Sequence, residues 1–274
     1  MQREEIYAAL PGALLPWYAS HARDLPWRRD REPYHVWLSE IMLQQTRVEA
    51  VRGYYLRFLD AFPTLRDLAA ADEARLLKLW EGLGYYSRAR NLQKAARVLC
   101  DEYGGVFPDT REALEGLPGV GPYTAGAVAS ICFERPCAAV DGNVLRVLSR
   151  LTADGAPVDL PATRADIAAR LEAVYPAGAC GAFTQALMEL GAVVCTPKSP
   201  KCGLCPANDF CLAAARGETA RYPVRLPKRE KRTEKRTVLL LECEGRFAVE
   251  RRSASGLLAG LWQLPNLTGE RTAD

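Results

Sequence analysis

Four cysteines in the last third of the chain have the residue type and the spacing that metal binding requires. Cys195, Cys202, Cys205 and Cys211 are separated by six, two and five residues. Four thiolates so close in sequence can surround one metal centre, and thiolates are ligands of [4Fe–4S] clusters and of zinc. Structural zinc sites generally use two close pairs of cysteines, whereas only Cys202 and Cys205 form such a pair here. The spacing therefore favours an iron–sulfur cluster, and zinc or two disulfides are the alternatives.

The composition of the chain indicates a folded protein of a reducing compartment. Of its 274 residues, 49% are hydrophobic, which is enough to form sizeable cores. No apolar run approaches the ~20 residues that a membrane-spanning helix needs, and the N-terminus lacks the residue order of a signal peptide. We therefore expect a cytoplasmic protein without a membrane partner. The net charge of +3 is compatible with a polyanionic partner and with many other functions.

A glutamate lies among apolar residues in the helix predicted over residues 35–54. Val36 and Trp37 lie four and three positions before Glu40, so a helix places this carboxylate on the apolar stripe. Burial raises the pKa of a carboxyl group, which allows it to hold a proton near neutral pH and to act as a general acid. The alternative is an exposed carboxylate that pairs with an arginine such as Arg47.

An aspartate precedes the apolar helix predicted over residues 144–151. Asp is a favoured N-cap residue, so Asp141 is expected to accept hydrogen bonds from N–H groups two or three residues further on. Because a carboxylate held in this way stays ionised, we expect the pKa values of Glu40 and Asp141 to shift in opposite directions. A proton donor beside a persistent anion is the pair that breaks a glycosidic bond and stabilises an oxocarbenium-like sugar.

Residues 117–122 predict a tight turn between two helices. The turn lies between a helix capped near Thr110 and a helix that begins at Pro122. Gly119 and Gly121 can adopt positive φ, and together with the N-terminus of the second helix they can expose N–H groups that bind one phosphate. The pattern indicates a helix-hairpin-helix that contacts DNA independently of its sequence. The alternative is an ordinary turn between two core helices.

The pattern of hydrophobic residues changes near residue 220. Before it, apolar residues recur at helical spacing between short Pro/Gly breaks, which predicts an all-α body. Residues 223–236 are polar and basic and predict a linker, with a DNA-binding arm as the alternative. Residues 237–243 and 246–251 flank a Glu-Gly turn signal and predict a β-hairpin, which is too small to be stable alone.

Six short motifs follow one another along the chain. They are LPWR at 25–28, WLSEIMLQQT at 37–46, GLGYY at 82–86, LPGVG at 117–121, DGN at 141–143 and the cysteine loop. In this order they resemble the adenine DNA glycosylases of the A/G-mismatch repair type, within the helix-hairpin-helix glycosylase superfamily. The resemblance implies a [4Fe–4S] cluster rather than zinc, and two helical domains with DNA and a flipped base in the cleft between them. It divides the chain into an iron–sulfur domain of residues 1–28 and 140–222 and a helix-hairpin-helix domain of residues 29–139.

The same resemblance implies a role for individual residues. Glu40 would protonate the adenine and Asp141 would stabilise the sugar cation, with Tyr123 and Asn143 as their hydrogen-bond partners. The other matches are the base pocket, which comprises Leu25, Trp27, Arg28 and Gln185, and the DNA contacts, which comprise Gln45, Tyr85, Gly119 and Gly121. Gln45 and Tyr85 would enter the duplex beside the extruded nucleotide, where inserted side chains offset the cost of unstacking a base. Without the resemblance, ordinary packing would explain Leu25, Trp27 and Tyr85.

The residue at position 123 separates two classes of enzyme. Bifunctional relatives of the endonuclease III type carry a lysine there, which forms a Schiff base with the sugar and leads to strand cleavage. Residues 112–137 contain no lysine. The resemblance therefore implies a monofunctional, nucleoid-associated monomer that removes adenine opposite 8-oxoguanine or guanine from double-stranded DNA and leaves an abasic site. The alternatives are a bifunctional glycosylase/lyase for oxidised pyrimidines and a non-catalytic iron–sulfur DNA-binding protein.

The C-terminal region resembles only the opening of a further domain. The match runs over residues 236–267 and includes the sequence GLLAGLW at 256–262. It is similar to the start of the Nudix-like domain that reads 8-oxoguanine opposite the target adenine. We therefore expect residues 237–274 to form an incomplete C-terminal Nudix-like domain.

Overall fold

The computed structural model describes residues 1–227, 233–253, 255–256 and 258–271. Contacts divide the chain into two units, Met1–Leu226 and Pro227–Asp274. The first unit is helical, as the sequence predicts, and the second contains only short strands among its described residues. In the part of the chain that the structure describes, no helix has the length and apolar character that crossing a membrane requires.

The first unit consists of α-helices joined by short turns. A single 3₁₀ turn, Pro26–Arg28, precedes α2, and three more lie in the region of the cysteine loop. The helices are α1 Arg3–His21, α2 Pro33–Leu43, α3 Val48–Ala61, α4 Leu65–Ala70, α5 Glu73–Trp80, α6 Ser87–Glu102, α7 Arg111–Glu115, α8 Pro122–Phe133, α9 Gly142–Thr152, α10 Pro161–Glu172, α11 Cys180–Val193 and α12 Leu212–Ala215.

Local sequence signals explain where several of these helices begin. α2, α8 and α10 each start with proline, whose fixed φ and missing N–H suit the first helical position. The Thr110 hydroxyl caps α7 by accepting a hydrogen bond from the Ala113 N–H at 3.4 Å. The predicted cap near Thr110 and the predicted start at Pro122 are therefore confirmed.

Two apolar cores stabilise the first unit. The first is formed mainly by α2 to α6 and α8, and it contains the almost completely buried side chains of Trp37, Phe58 and Trp80. The second is formed mainly by α1, α9, α10 and α11, and it contains Leu148 and Phe183. Burial of one such side chain contributes roughly 1.5–3 kcal/mol relative to its exposure. The two cores fix the helices whose ends and faces carry the site residues.

The helix predicted over residues 35–54 is two helices, and that prediction is wrong. Residues 44–47 separate α2 from α3, and Gln45 among them has a φ of 59°. No proline or glycine marks this break in the sequence. A distant residue stabilises the break instead, because the guanidinium of Arg88 in α6 donates hydrogen bonds to carbonyl groups at the end of α2.

The second unit contains three two-stranded antiparallel ladders. The predicted turn at Glu244-Gly245 is confirmed, with positive φ at both residues, and it joins β2, Glu242–Cys243, to β3, Arg246–Phe247. The predicted single hairpin is otherwise wrong, because the two long strands are divided and pair with distant residues. β1, Arg236–Val238, pairs with β6, Asn266–Thr268, and β4, Glu250–Arg251, pairs with β5, Trp262–Gln263. Part of the predicted linker, residues 228–232, lies outside the described residues, as do residues 254, 257 and 272–274.

Candidate active site

A cavity of about 540 Å³ opens in the first unit where α2, α8, α9 and α11 approach one another. Its wall also includes the 3₁₀ turn before α2 and the turn after α2. Nine of the site residues predicted from the sequence line it, namely Leu25, Trp27, Arg28, Glu40, Gln45, Tyr123, Asp141, Asn143 and Gln185. The structure therefore brings together residues that are separated by as many as 160 positions in the sequence.

Glu40 faces this cavity from the buried side of α2. Only 6% of its surface is exposed, which confirms the predicted burial. Its Oε2 accepts a hydrogen bond of 2.5 Å from the Tyr123 hydroxyl, so the alternative partner Arg47 is wrong. Burial raises the pKa of Glu40 from 4.5 to about 7, and the charge of Asp141 acts in the same direction. A carboxyl group with this pKa holds its proton close to neutral pH, as a general acid must.

Asp141 is the N-cap residue of α9, as predicted. Its Oδ1 accepts a hydrogen bond from the Val144 N–H at 2.7 Å, and its Oδ2 accepts one from the Asn143 side chain at 2.8 Å. Arg146, which is 9% exposed, continues this chain by donating to Asn143 Oδ1 at 2.8 Å and to the Cys195 carbonyl at 2.8 Å. The position of the Asp141 carboxylate is therefore fixed by α9 itself and by the segment that leads into the cysteine loop.

The expectation that Glu40 and Asp141 have oppositely shifted pKa values is wrong. Burial raises the pKa of Asp141 above its ordinary value of 3.8. The hydrogen bonds from Val144 and Asn143 act in the opposite direction, because they stabilise the ionised form. An N-cap pattern in a sequence reveals these hydrogen bonds but not the burial of the carboxylate, which is why the direction was missed.

Gly191 explains how α11 approaches this pair so closely. A Cβ atom at this position would lie 2.6 Å from the Cβ of Asn143, closer than two side chains can pack. Only a glycine therefore permits α11 to lie against the first turn of α9. This close approach brings the α11 residues Gln185, Met188 and Glu189 to the same cavity as Asp141.

The predicted base-pocket residues form the wall nearest the 3₁₀ turn. Leu25 and Trp27 are buried, with 1% and 6% of their surfaces exposed, and both line the cavity. The Gln185 Oε1 accepts a hydrogen bond of 2.8 Å from the Tyr18 hydroxyl, which fixes the orientation of the amide. The cavity thus has an apolar wall and a small set of oriented polar groups, which is typical of a site for a small molecule.

Sequence reasoning missed Glu189, which lies beside Arg28 in the same wall. It is fully buried, and its carboxylate accepts hydrogen bonds from Arg23 Nε at 2.6 Å and from Arg28 Nη2 at 2.8 Å. Burial favours the protonated form of Glu189, but these two hydrogen bonds outweigh it and lower the pKa to about 2. A signal was present in the sequence, because Glu189 is the one charged residue of α11.

The other predicted DNA contacts lie outside the cavity wall. Tyr85 is 62% exposed and has a φ of 47°. Gly119 has the predicted positive φ, 77°, and a Cβ there would lie 2.7 Å from the Cβ of Asn91. Gly121 has a φ of −106°, so the prediction of positive φ is wrong at this position. Gly121 is the N-cap of α8, and N-cap residues adopt an extended backbone.

Comparison with known proteins agrees with this geometry. Residues 38–171 match the HhH-GPD superfamily of base excision DNA repair proteins. The adenine DNA glycosylase of Homo sapiens is 39% identical over an alignment that covers 96% of this chain and 58% of that protein. The adenine DNA glycosylase of Buchnera aphidicola subsp. Schizaphis graminum is 34% identical, with 92% of this chain and 73% of that protein covered. This chain belongs to the adenine DNA glycosylase family.

The fold of this chain is also similar to those of solved DNA glycosylase structures. A thermostable thymine-DNA glycosylase is similar with a TM-score of 0.69 at 30% identity, over 78% of this chain and 97% of that chain. A non-covalent endonuclease III–DNA complex is similar with a TM-score of 0.65 at 25% identity, over 79% of this chain and 98% of that chain. The helical helix-hairpin-helix glycosylase fold implied by the motifs is therefore confirmed. The chain spans about three fifths of the length of the human relative.

The cysteine loop of this family member surrounds a small pocket of its own. Cys195, Cys202, Cys205 and Cys211 all line it. Among the described residues, no group of three or more His, Cys, Asp or Glu side chains could hold a single metal ion. Arg150, which is 2% exposed, donates to the Cys195 sulfur at 3.4 Å and to nearby carbonyl groups. No carboxylate in the described part of the chain forms an ion pair with this buried guanidinium.

Proposed function

We propose that this protein removes adenine from mispaired duplex DNA by hydrolysing the N-glycosidic bond. The observation that carries the proposal is the pair formed by Glu40 and Asp141. One is a carboxyl group with a pKa of about 7, and the other is held by the Val144 N–H and the Asn143 amide. Both line one cavity together with the apolar side chains of Leu25 and Trp27. Family membership and this geometry support the same reaction.

Glu40 acts as the general acid in this proposal. Its proton moves to a ring nitrogen of the adenine, and the electron pair of the N-glycosidic bond leaves with the base. The Tyr123 hydroxyl holds the carboxyl group in place and stabilises the carboxylate that remains after proton transfer. Protonation makes adenine a better leaving group, so the barrier to bond cleavage falls.

Asp141 stabilises the sugar that the base leaves behind. Departure of the base leaves an oxocarbenium-like sugar with positive charge, which a nearby carboxylate stabilises by electrostatic attraction. The hydrogen bonds from Val144 and Asn143 orient this carboxylate before the reaction begins. Water then adds to the anomeric carbon and its proton returns to the Glu40 carboxylate, which restores the acid, and the products are free adenine and an abasic site.

The polar wall of the cavity would select the base. The carboxylate of Glu189 and the guanidinium of Arg28 form an oriented pair, and the Tyr18 hydroxyl orients Gln185. Leu25 and Trp27 supply an apolar surface against which a planar base can pack. A buried site of paired polar groups discriminates between bases because a wrong base leaves some of these groups unpaired.

Three further features, at the rim of the cavity and outside it, support duplex DNA as the partner. The turn with Gly119 and Gly121 joins α7 to α8, and we propose that this turn and the N-terminus of α8 bind one phosphate of the backbone. Gln45 and Tyr85 project from two turns as exposed side chains with positive φ. We propose that they enter the duplex where the adenine is extruded, because chemistry on a base within a duplex requires its removal from the stack.

We propose that Cys195, Cys202, Cys205 and Cys211 bind a [4Fe–4S] cluster. Each thiolate of such a cluster binds a different iron, so the ligands lie farther apart than those of a single ion. Arg150 fits this group, because its buried guanidinium donates to the Cys195 sulfur, has no carboxylate partner among the described residues and would be stabilised by negative charge nearby. A bound cluster would supply that charge and cross-link the loop, whose Cys195 carbonyl accepts a hydrogen bond from Arg146 beside Asn143.

The finer assignments of substrate and organisation rest on the motifs. We propose that the protein acts as a monomer on adenine opposite 8-oxoguanine or guanine, and that residues 237–274 form the opening of a Nudix-like domain. Residues 1–28 with 140–222 would form the iron–sulfur domain, and residues 29–139 the helix-hairpin-helix domain. Tyr123, in place of a lysine, supports a monofunctional reaction.

Single-turnover cleavage of duplexes tests the proposal. Adenine is placed opposite 8-oxoguanine, guanine or thymine, and each reaction is analysed with and without alkali, which breaks abasic sites. We expect alkali-dependent breaks in the adenine strand of the first two duplexes. Glu40→Gln should abolish excision and retain DNA binding, whereas the matched control Glu49→Gln, an exposed glutamate of α3, should react normally.

Two results would contradict the proposal. Strand breaks without alkali would favour a bifunctional glycosylase/lyase, because a Schiff base at the sugar leads directly to strand cleavage. If the unaltered protein binds these duplexes but yields no product from any of them, a non-catalytic DNA-binding protein would be favoured.

A further inference from the structure

Arg88, at the start of α6, is bonded to the end of the helix that carries Glu40. Its Nη1 donates to the carbonyl oxygens of Ile41, Met42 and Gln44 at 2.8, 3.1 and 2.6 Å. The last carbonyl groups of a helix have no partner within the helix and carry the negative end of its dipole. Arg88 therefore satisfies and ends α2 in place of a further helical turn.

The other amino group of Arg88 is bonded to a second turn, which joins α5 to α6. Nη2 donates to the carbonyl oxygens of Leu83 and Gly84 at 2.9 and 3.3 Å. The Trp80 indole N–H also donates to the Gly84 oxygen at 3.1 Å, and the Arg88 guanidinium lies 5.4 Å from the Trp80 ring centre. One guanidinium thus connects two turns that are forty residues apart in the sequence.

Both turns lead directly into a strained, exposed residue. Gln44, which accepts from Arg88, precedes Gln45 with a φ of 59°, and Gly84, which also accepts from Arg88, precedes Tyr85 with a φ of 47°. Residues other than glycine adopt this conformation at a cost of roughly 1–2 kcal/mol and keep it only where their surroundings impose it. The fixed peptide groups immediately before the two residues supply that constraint.

We propose that Arg88 is a positioning residue that holds Gln45 and Tyr85 in one geometry, so that both side chains enter the duplex as a single wedge. The inference rests on the proposed function, in which these two residues offset the cost of extruding the adenine. Arg88 itself touches neither the base nor the sugar in this mechanism. Loss of Arg88 should leave proton transfer from Glu40 intact and slow only the extrusion of the base.

The chemistry of this bridge requires arginine. A guanidinium carries five N–H donors in a rigid fork and can donate to two groups of acceptors at once, whereas a lysine ammonium is a single point of charge. Arg97 offers a matched control on the same helix. It also donates to a carbonyl group near a helix end, that of Ala69 at 2.9 Å, but it contacts neither turn.

The test compares two duplexes with adenine opposite 8-oxoguanine that differ in the flanking base pairs. Strong G·C neighbours make extrusion costly, and weak A·T neighbours make it less costly. We expect Arg88→Met to slow single-turnover excision about 30-fold on the first duplex and only about threefold on the second, since inserted side chains matter most where unstacking is hardest. Arg97→Met should stay within about twofold of the unaltered protein on both, as expected for an exposed side chain. The pH dependence of the rate should not change.

An equal loss on the two duplexes, or a changed pH dependence, would overturn the role of Arg88 in extrusion. If Arg88→Met does not fold, Arg88→Lys serves instead, because it keeps the charge and loses the fork. We expect an intermediate loss with the same dependence on the flanking pairs. A lysine variant that matches the unaltered protein on the G·C-flanked duplex would contradict the need for a forked donor.

Hydrogen–deuterium exchange separates a failure of this inference from a failure of the proposed function. In Arg88→Met, peptides that cover residues 41–47 and 82–86 should exchange faster than in the unaltered protein and in Arg97→Met. Unchanged exchange would overturn the bridge whatever the activity. Inactivity of the unaltered protein on both duplexes would overturn the proposed function, while the exchange result would still decide whether Arg88 fixes the two turns.

Discussion

Glu40 and Glu189 line the same cavity and are both buried, with 6% and 0% of their surfaces exposed, yet their pKa values shift in opposite directions. The pKa of Glu40 rises to about 7 and that of Glu189 falls to about 2. Burial disfavours the charged form of both side chains. The difference therefore comes from their partners. A neutral tyrosine hydroxyl contacts Glu40, whereas the guanidinium groups of Arg23 and Arg28 contact Glu189.

This comparison explains how one cavity can contain both a proton donor and a fixed anion. The acid is obtained by removing water from a carboxyl group without placing a cation at hydrogen-bonding distance, although the charge of Arg28 acts weakly on it. The anion is obtained by supplying two cations at hydrogen-bonding distance. Asp141 is intermediate, because burial raises its pKa while the hydrogen bonds from Val144 and Asn143 oppose that rise. The contacts of the three carboxyl groups therefore decide how each pKa departs from the effect of burial.

Replacement of the two arginines that pair with Glu189 should have the largest effect on stability. In Arg23→Met/Arg28→Met, the carboxylate would remain buried in the cavity wall without a partner, and stranding a buried charge costs about 3–5 kcal/mol. We expect urea denaturation at pH 7 to give a correspondingly lower free energy of unfolding, with the loss reduced at pH 5. Addition of Glu189→Gln to the double variant should restore much of the stability. Equal stability of the double and triple variants would mean that Glu189 is not held as an anion.

The pH dependence of stability should distinguish the two glutamates. The folded-state pKa of Glu40 is raised from 4.5, so the folded state binds the proton more tightly and the stability gained is lost as pH rises through about 7. A shift of this size corresponds to about 3 kcal/mol. Glu40→Gln should therefore remove a decrease in stability between pH 5 and pH 8, measured by urea denaturation. Glu189→Gln should leave that decrease unchanged. It should instead remove a loss of stability that the unaltered protein shows as pH falls from 4.5 towards 2, where Glu189 becomes protonated.

If Glu40→Gln still loses as much stability between pH 5 and pH 8 as the unaltered protein, the group that titrates is not Glu40. Glu49→Gln, which alters an exposed glutamate of the neighbouring helix, provides the reference for the loss of one surface charge.

The sequence predicts those parts of the site that depend on local pattern. The burial of Glu40 follows from the apolar stripe of α2, and the cap formed by Asp141 follows from the residue type and the helix after it. Gly119 is predicted by the turn that requires a positive φ. Each of these depends on residues within four positions of the one in question, so one segment contains all the information.

The parts that the sequence does not predict depend on distant residues. Glu189 contacts arginines that lie 166 and 161 residues away, and no local pattern connects them. The break after α2 depends on Arg88, 44 residues beyond Gln44. The pairing of β1 with β6 likewise joins segments that are far apart, whereas the sequence signal at Glu244-Gly245 specifies only the turn between β2 and β3. Packing decides these features, and local propensity does not.

Of the three sets of variants, Tyr123→Phe should produce the smallest effect. It tests directly how the partner of Glu40 sets the pKa of that carboxyl group. The Tyr123 hydroxyl donates to the carboxylate and so lowers the pKa of Glu40 against the opposing effect of burial. Its removal should raise that pKa further. Since the proposed excision requires the protonated acid, the fall in single-turnover rate at alkaline pH should move upward by about one pH unit, the equivalent of one hydrogen bond to a charged group. Tyr34→Phe, which alters a buried tyrosine bonded to the Phe62 carbonyl, should not move it. A downward shift would mean that the hydroxyl stabilises the protonated form of Glu40, and that proton retention depends on Tyr123 rather than on burial alone.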